Sequence, residues 1–264
     1  MIWENKHPLI VASIIGMLFA VTAPSCRGEK PQSWSAKAVY TRIVASSKEE
    51  PNYDLNRDLF IQQLPGEEPV RLTDWARHPL LDKGMYVPQW SPNGNYVLFM
   101  GHLKNHKPIM PQNDWPSYPW VVDVRTRTPK PVGQTKDRWY LNATWLPDGQ
   151  KVIARVVIGK HPQFYYHMDL RDTYVISKDE TRLVVIDTRT RKERIVQRNL
   201  GTDKFYVSPK GQRVILYEHG NNRFTVLDLV SGGSRTLCKS PGLDVAAISP
   251  DGKRLAYYHK GILR

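Results

Sequence analysis

The residues best suited to chemistry lie in residues 159–179. His161, His167 and Asp169 could move protons, and Arg171 could hold an anion beside them. Tyr165 and Tyr166 add rings to the same stretch, which suits a peptide, a glycan or a nucleic-acid backbone. Residues 101–118 form a second such stretch, rich in proline and holding Trp115. The candidate binding residues are therefore Trp115, His161, Tyr165, Tyr166, His167 and Arg171. The competing reading is that these rings only bury the two insertions against a scaffold. No Gly-x-Ser-x-Gly elbow, His-Glu-x-x-His pair or Gly-x-x-x-x-Gly-Lys-Ser loop occurs. His102 and His106 are four apart, but Gly101, Asn105 and Pro108 around them indicate a loop and not a helix face for a metal. Cys26 and Cys238 fit neither a disulfide framework nor a metal site. The sequence thus assigns no catalytic residue, no metal and no cofactor.

Both stretches interrupt a phrase that recurs four times. It runs through Pro92 and Gly94, then Pro147, Asp148 and Gly149, then Pro209 and Gly211, then Pro250, Asp251 and Gly252. Proline presets φ at the turn, Asp or Asn holds its own backbone, and glycine accepts positive φ. An apolar strand rich in β-branched residues follows each copy. The interval from Pro209 to Pro250 is about one propeller blade long, roughly 40–50 residues, and the two earlier intervals carry the insertions. A worn copy at Trp34 precedes a strand near residues 38–43.

A second hairpin follows the first. Strands ending at Asp123, Asp187 and Asp228 lead into turns of small or charged residues and then into a return strand. Asp at such a position caps its own turn, so these three carboxylates are structural and not metal ligands. Inner hairpin, outer hairpin and connection then alternate. That order predicts an all-β chain of four-stranded antiparallel blades, four or five in number, arranged as a β-propeller. The strand near residues 38–44 is one route to closing the last blade.

The two phrases in this order resemble the TolB-type, WD-like propeller repeat of bacteria. The resemblance covers roughly residues 38–264, with gaps, and is carried by residues 90–99, 145–154, 207–217 and 248–258. Asn93 and Lys210 replace the family's turn Asp, and Val207 and Ile248 replace its tryptophan. The resemblance implies the fold and leaves the function open, because propellers host many functions. Some relatives carry a peptidase domain behind such a propeller, for which this chain has no room.

The chain has 264 residues, 41% of them hydrophobic, which is enough for a large all-β core. Its formal net charge of +13 suits an anionic partner. Basic clusters at 125–130 and 189–194 fall in the outer-hairpin turns, as solvated turns or as a common basic rim. Residues 9–23 are uncharged and short for a membrane span, and they match the core of an export signal. Ala23-Pro24-Ser25-Cys26 fits a lipoprotein signal with lipidation at Cys26; ordinary cleavage and a retained anchor are the alternatives. The expected layout is a signal segment over 1–25, a polar linker over 26–37 and the propeller domain over 38–264. These features predict an exported, periplasmic or membrane-anchored protein, a non-enzymatic module binding a protein or an anionic envelope polymer. Nucleic acid is not an expected partner of an exported chain. The alternative is a lyase or hydrolase built at the propeller centre and acting on an anionic glycan.

Overall fold

The computed structural model describes residues 36–45, 56–82, 85–104, 117–159, 165–166, 173–174, 180–200, 204–218, 223–239, 245–249, 254–259 and 262–263. The chain forms a succession of antiparallel sheets. The first joins β1 (Ala36–Ala45), β2 (Asn56–Leu64) and β3 (Val70–Arg71). The second runs β4 (Tyr86–Trp90), β5 (Tyr96–His102), β6 (Ser117–Asp123) and β7 (Pro129–Pro131) in chain order. The third begins with β8 (Arg138–Trp145) and β9 (Lys151–Ile158). A separate ribbon of β10 (Tyr165–Tyr166) and β11 (Thr173–Tyr174) follows, before β12 (Glu180–Asp187) and β13 (Glu193–Arg198) complete the third sheet. The fourth sheet is β14 (Lys204–Val207), β15 (Arg213–Glu218), β16 (Arg223–Asp228) and β17 (Ser234–Lys239). The fifth is β18 (Val245–Ile248), β19 (Leu255–His259) and β20 (Ile262–Leu263). The sheets have the strand order of propeller blades, as the two alternating hairpin phrases require. Among the described residues, no helix is long and apolar enough to cross a membrane.

Central strands are buried on both faces, and alternate residues serve different neighbours. In β9, Val152, Ala154 and Val156 join one core with Phe99, Trp120 and Val122 of the second sheet. Ile153, from the same strand, joins Val214, Leu216 and Leu227 of the fourth. In β12, Val184 and Ile186 face the first of these cores, and Leu183 and Val185 the second. The pattern repeats in β15, where Ile215 and Tyr217 pack with Ile248 and Leu255 of the fifth sheet. Each fully buried large apolar side chain contributes about 1.5–3 kcal/mol. Stability therefore comes mostly from one blade against the next, since an isolated sheet would leave both faces wet. Phe99, Leu216 and Trp145 are buried, and Trp90 is half-buried against the same core.

The amino-terminal strand behaves differently from the closure expected of it. β1 pairs along its whole length with β2, from Ala36 opposite Leu64 to Ala45 opposite Asn56. It makes no ladder with β20, whose described partner is β19. Nine residues of β2 with matching apolar positions offer a longer ladder than the two of β20, so β1 belongs to the first blade.

Candidate functional site

Strand direction alternates within a blade, so its first and third turns share one end and its second turn takes the other. The Pro-x-Gly turns and the Asp-started turns therefore crowd together. In three blades the amide after the Asp donates to a carbonyl of the Pro-x-Gly turn: Val124 to Asn95 at 3.0 Å, Thr188 to Gln150 at 3.0 Å and Leu229 to Gln212 at 2.8 Å. Successive Pro-x-Gly turns also touch. A methyl added at Gly149 would lie 3.5 Å from Asn93 Nδ2, and one at Gly211 would lie 2.7 Å from Pro147 Cδ. The turn end is one connected platform.

Each Pro-x-Gly turn closes with glycine at positive φ: 71° at Gly94, 63° at Gly149 and 67° at Gly211. Its amide donates to the residue three before it, Ser91, Leu146 or Ser208. Pro92, Pro147 and Pro209 lie exposed at the apex. Of the fourth copy, Ser249 bonds Arg254, while Pro250, Asp251 and Gly252 lie outside the described residues.

The Asp-started turns share a single design. Asp123 Oδ1 accepts from the amides of Arg125 and Thr126, Asp187 Oδ1 from Arg189 and Thr190, and Asp228 Oδ1 from Val230 and Ser231. The backbone and hydroxyl of Thr190 hold the Asp187 carboxyl below its usual range, and the amides of Ser231 and Val230 do the same for Asp228. This is the capping role expected of these residues. The turn then closes through a residue in the left-handed region: Arg127 at φ 56°, Arg191 at 61° and Gly232 at 74°. Glycine is the ordinary occupant there. Two of the three copies carry arginine instead.

Those arginines belong to the basic clusters. Arg125, Arg127, Lys130, Arg189, Arg191 and Lys192 are all exposed. Arg191 Nη2 donates to Gly133 O at 3.2 Å, tying the third blade to the segment that leaves the second. Arg194 Nη2 similarly reaches Leu229 O of the fourth blade at 3.1 Å. The acidic groups of this end are occupied in turns. At Asp148, burial alone would raise the carboxyl, but the Lys151 ammonium and the amides of Gln150 and Lys151 outweigh it and hold the group low. Both clusters are thus exposed on the turn end of two adjacent blades, the second and the third.

The two insertions leave from the opposite end, between β5 and β6 and between β9 and β12. Of the sequence candidates, Trp115, His161, His167, Asp169 and Arg171 lie outside the described residues. Tyr165 and Tyr166 form β10, and their backbones pair with Tyr174 and Thr173. The second insertion is therefore more than a loop. Cys26 also lies outside the described residues.

At the roots of the insertions several polar groups are paired internally, while Arg182 Nε is buried without a hydrogen-bond partner. Glu180 binds Arg182, and Arg198 at 2.7 Å; these hydrogen bonds pull its carboxyl down to about 2. His78 Nδ1 accepts from the amides of Leu80 and Leu81 at 3.1 and 2.7 Å, which leaves Nε2 as the donor to Pro129 O at 3.2 Å. Between the second and third blades, Tyr140 OH bonds the Glu193 carboxylate, and Arg138 Nη1 lies 3.2 Å from its other oxygen. Burial first, then the Glu193 charge, pushes the Tyr140 phenol far up, so it stays a neutral donor. Asp58, fully buried, is held by Arg71, Thr73 Oγ1 and the Trp75 amide. These networks brace the scaffold. Among the described residues, no group of three or more His, Cys, Asp or Glu is placed to hold a metal ion.

No family model and no curated protein matches the chain. Solved structures do. TolB from Acinetobacter baumannii is 17% identical with a TM-score of 0.51, over 77% of this chain and 43% of that one. An oligogalacturonate lyase in complex with manganese is 11% identical with a TM-score of 0.55, over 76% and 50%. An acylaminoacyl peptidase from Pyrococcus horikoshii is 16% identical with a TM-score of 0.54, over 86% and 34%. The chain spans half or less of the length of these three. Identities this low show the fold alone. It is a β-propeller fold, shared by binding proteins and enzymes, and the likeness is not specific to TolB.

Proposed function

We propose that the protein is a non-enzymatic binding module of the cell envelope that engages an anionic polymer or a protein carrying an acidic surface. The observation that supports this most directly is the basic rim: two adjacent blades offer the same cation-bearing turn on a rigid platform. A net charge of +13 and the export features of residues 9–26 agree with an anionic ligand outside the cytoplasm. Polyanion binding by titration calorimetry, at two ionic strengths, tests the reading. It predicts binding that weakens as salt rises. No binding to any polyanion, and no acidic protein captured by crosslinking in intact cells, would overturn it.

A second reading keeps the anionic ligand and adds a reaction, with a lyase or hydrolase site at the propeller centre. The names of the solved structures favour it over simple binding, since a lyase and several peptidases or hydrolases stand among them. Its acid, base and anion-binding groups would be His161, His167, Asp169 and Arg171. Incubation with polygalacturonate, followed by chain-length analysis, separates the two readings. Shortened chains, abolished by His161→Ala or His167→Ala, would establish catalysis.

A further inference from the structure

The Asp-started turns hold a contradiction between backbone and side chain. The fourth blade shows what the geometry asks for, with Gly232 at φ 74°. The second and third blades fill the same position with Arg127 at 56° and Arg191 at 61°. A residue with a Cβ is strained in this region, and strain that persists is most often found at functional positions. The same two blades also place arginine two residues earlier, at 125 and 189, where the fourth blade has Val230. Two adjacent copies read Asp-x-Arg-Thr-Arg, and the third has lost both cations together.

The two turns are held at a fixed separation. The tip of the Arg191 side chain touches Gly133, which is six residues along the chain from Arg127, so the turns stand within roughly 30 Å of one another. The contact of Gly149 with Asn93, and the hydrogen bonds of each Pro-x-Gly turn to its own Asp-started turn, fix their orientation. A single small anion needs only one of these turns. A chain with repeated charges can use both. The turns carry guanidinium groups and hydroxyls but no aromatic ring, so they can read charge but have nothing on which a sugar or base would stack. That favours a ligand whose charge lies in its own backbone.

We infer that the two Asp-x-Arg-Thr-Arg turns of the second and third blades form one cation site for a linear polyanion with phosphate groups in its backbone. The inference rests on the binding reading above and names its site and its ligand chemistry. Arg125, Arg127, Arg189 and Lys192 make no ion pair among the described residues, and each is available to a phosphate.

The test uses the full chain with long-chain inorganic polyphosphate as the probe and polygalacturonate as the carboxylate comparison. Wild type should bind polyphosphate more tightly, with an affinity that falls steeply with salt. Arg127→Gly with Arg191→Gly should weaken binding about tenfold or more. Arg127→Gly alone should leave the melting temperature unchanged or higher, because the glycine relieves strain, whereas Arg191→Gly also loses the bond to Gly133. Arg125→Gln with Arg189→Gln, which leaves the turn backbone alone, should weaken binding similarly. Lys37→Gln with Arg42→Gln removes the same charge from the first blade and should change affinity by about twofold or less. If both turn variants bind like wild type, the site is wrong and the general binding reading stands. Equal affinity for polygalacturonate overturns the phosphate chemistry alone. If neither polymer binds, the inference and polymer binding fall together.

Discussion

Gly211 of the fourth blade sits directly against Pro147 of the third, so that a methyl on its Cα would stand 2.7 Å from the proline Cδ. This glycine answers two demands at once: φ is 67°, and the neighbour is a ring that cannot swing aside. Gly211→Ala is expected to cost about 2–4 kcal/mol, from left-handed strain and overpacking together. Gly94 has φ 71° but nothing within 4 Å of the same position. Gly94→Ala should therefore cost only about 1 kcal/mol. Urea titration of the two variants checks the difference, and equal losses would mean that the turns do not touch.

Trp145 carries more weight than its place at a strand end suggests. It is 7% exposed, belongs to the core shared by the second and third blades, and donates Nε1 to Gln89 O at 3.3 Å. Trp145→Ala is expected to cost about 3–5 kcal/mol. Trp145→Phe should recover most of that, because it keeps the ring and loses only the hydrogen bond. A loss under about 0.5 kcal/mol for the alanine variant would contradict the interblade packing.

His78 predicts a pH dependence. Burial lowers its pKa below the ordinary 6.5, with Lys104 adding to the effect and the bond to Pro129 opposing it. The folded protein holds the ring neutral, because Nδ1 accepts two amide hydrogens and a proton there would face them. As pH falls through 6.5 the unfolded chain binds a proton that the folded chain resists. The stability contribution of this group is therefore full above that pH and declines below it. The chain has seven other histidines, so the measurement is a comparison. His78→Gln should lower stability at neutral pH yet flatten its fall between about pH 7 and pH 5. An unchanged slope would show that His78 is not the group responsible.

The two turn types were legible because their chemistry is local. Proline, Asp or Asn and glycine within four residues specify a backbone regardless of what lies around them, and the blades follow from their order. The strand near residues 38–43 was also readable, although it extends from Ala36 to Ala45 and so beyond the expected apolar run, and the worn turn at Trp34 lies outside the described residues. Closure was not legible. Whether β1 joins β2 or a distant blade depends on ladders between residues far apart in sequence, which no local pattern encodes. The bond between Tyr140 and Glu193 was hidden for the same reason, the partners being 53 positions apart. The left-handed arginines were hidden for another, since arginine is not a marker of positive φ. Aligning the three turns gives the one available signal, Gly232 in register with Arg127 and Arg191. The short ribbon in residues 159–179 could have been read from Tyr165-Tyr166 and Thr173-Tyr174, which are strong strand formers.

Variation among the Pro-x-Gly turns yields the last prediction. In the second blade Ser91 Oγ accepts from the Tyr96 amide at 2.9 Å, and in the fourth Ser208 Oγ accepts from Arg213 at 3.1 Å. The third blade has Leu146 at this position, buried in the core and without a hydroxyl. Asp148 replaces it, accepting from the amides of Gln150 and Lys151 at 2.9 Å each and pairing with the Lys151 ammonium at 2.8 Å. In the second blade Asn93 accepts from Asn95 at 3.1 Å and from the Ser91 hydroxyl at 2.7 Å, so serine and asparagine share the task. Removing Asp148 leaves two strand-start amides with no protein partner, whereas removing Asn93 leaves Ser91 in place. Asp148→Ala should cost about 1–2 kcal/mol and Asn93→Ala less than about 1 kcal/mol. Combining Asn93→Ala with Ser91→Ala should bring the second blade to about the loss seen at Asp148, and to less than the sum of its two single losses, because the hydrogen bond between the two side chains is already lost in either single variant. Strict additivity in a denaturant double-mutant cycle would show that the two turn residues act independently.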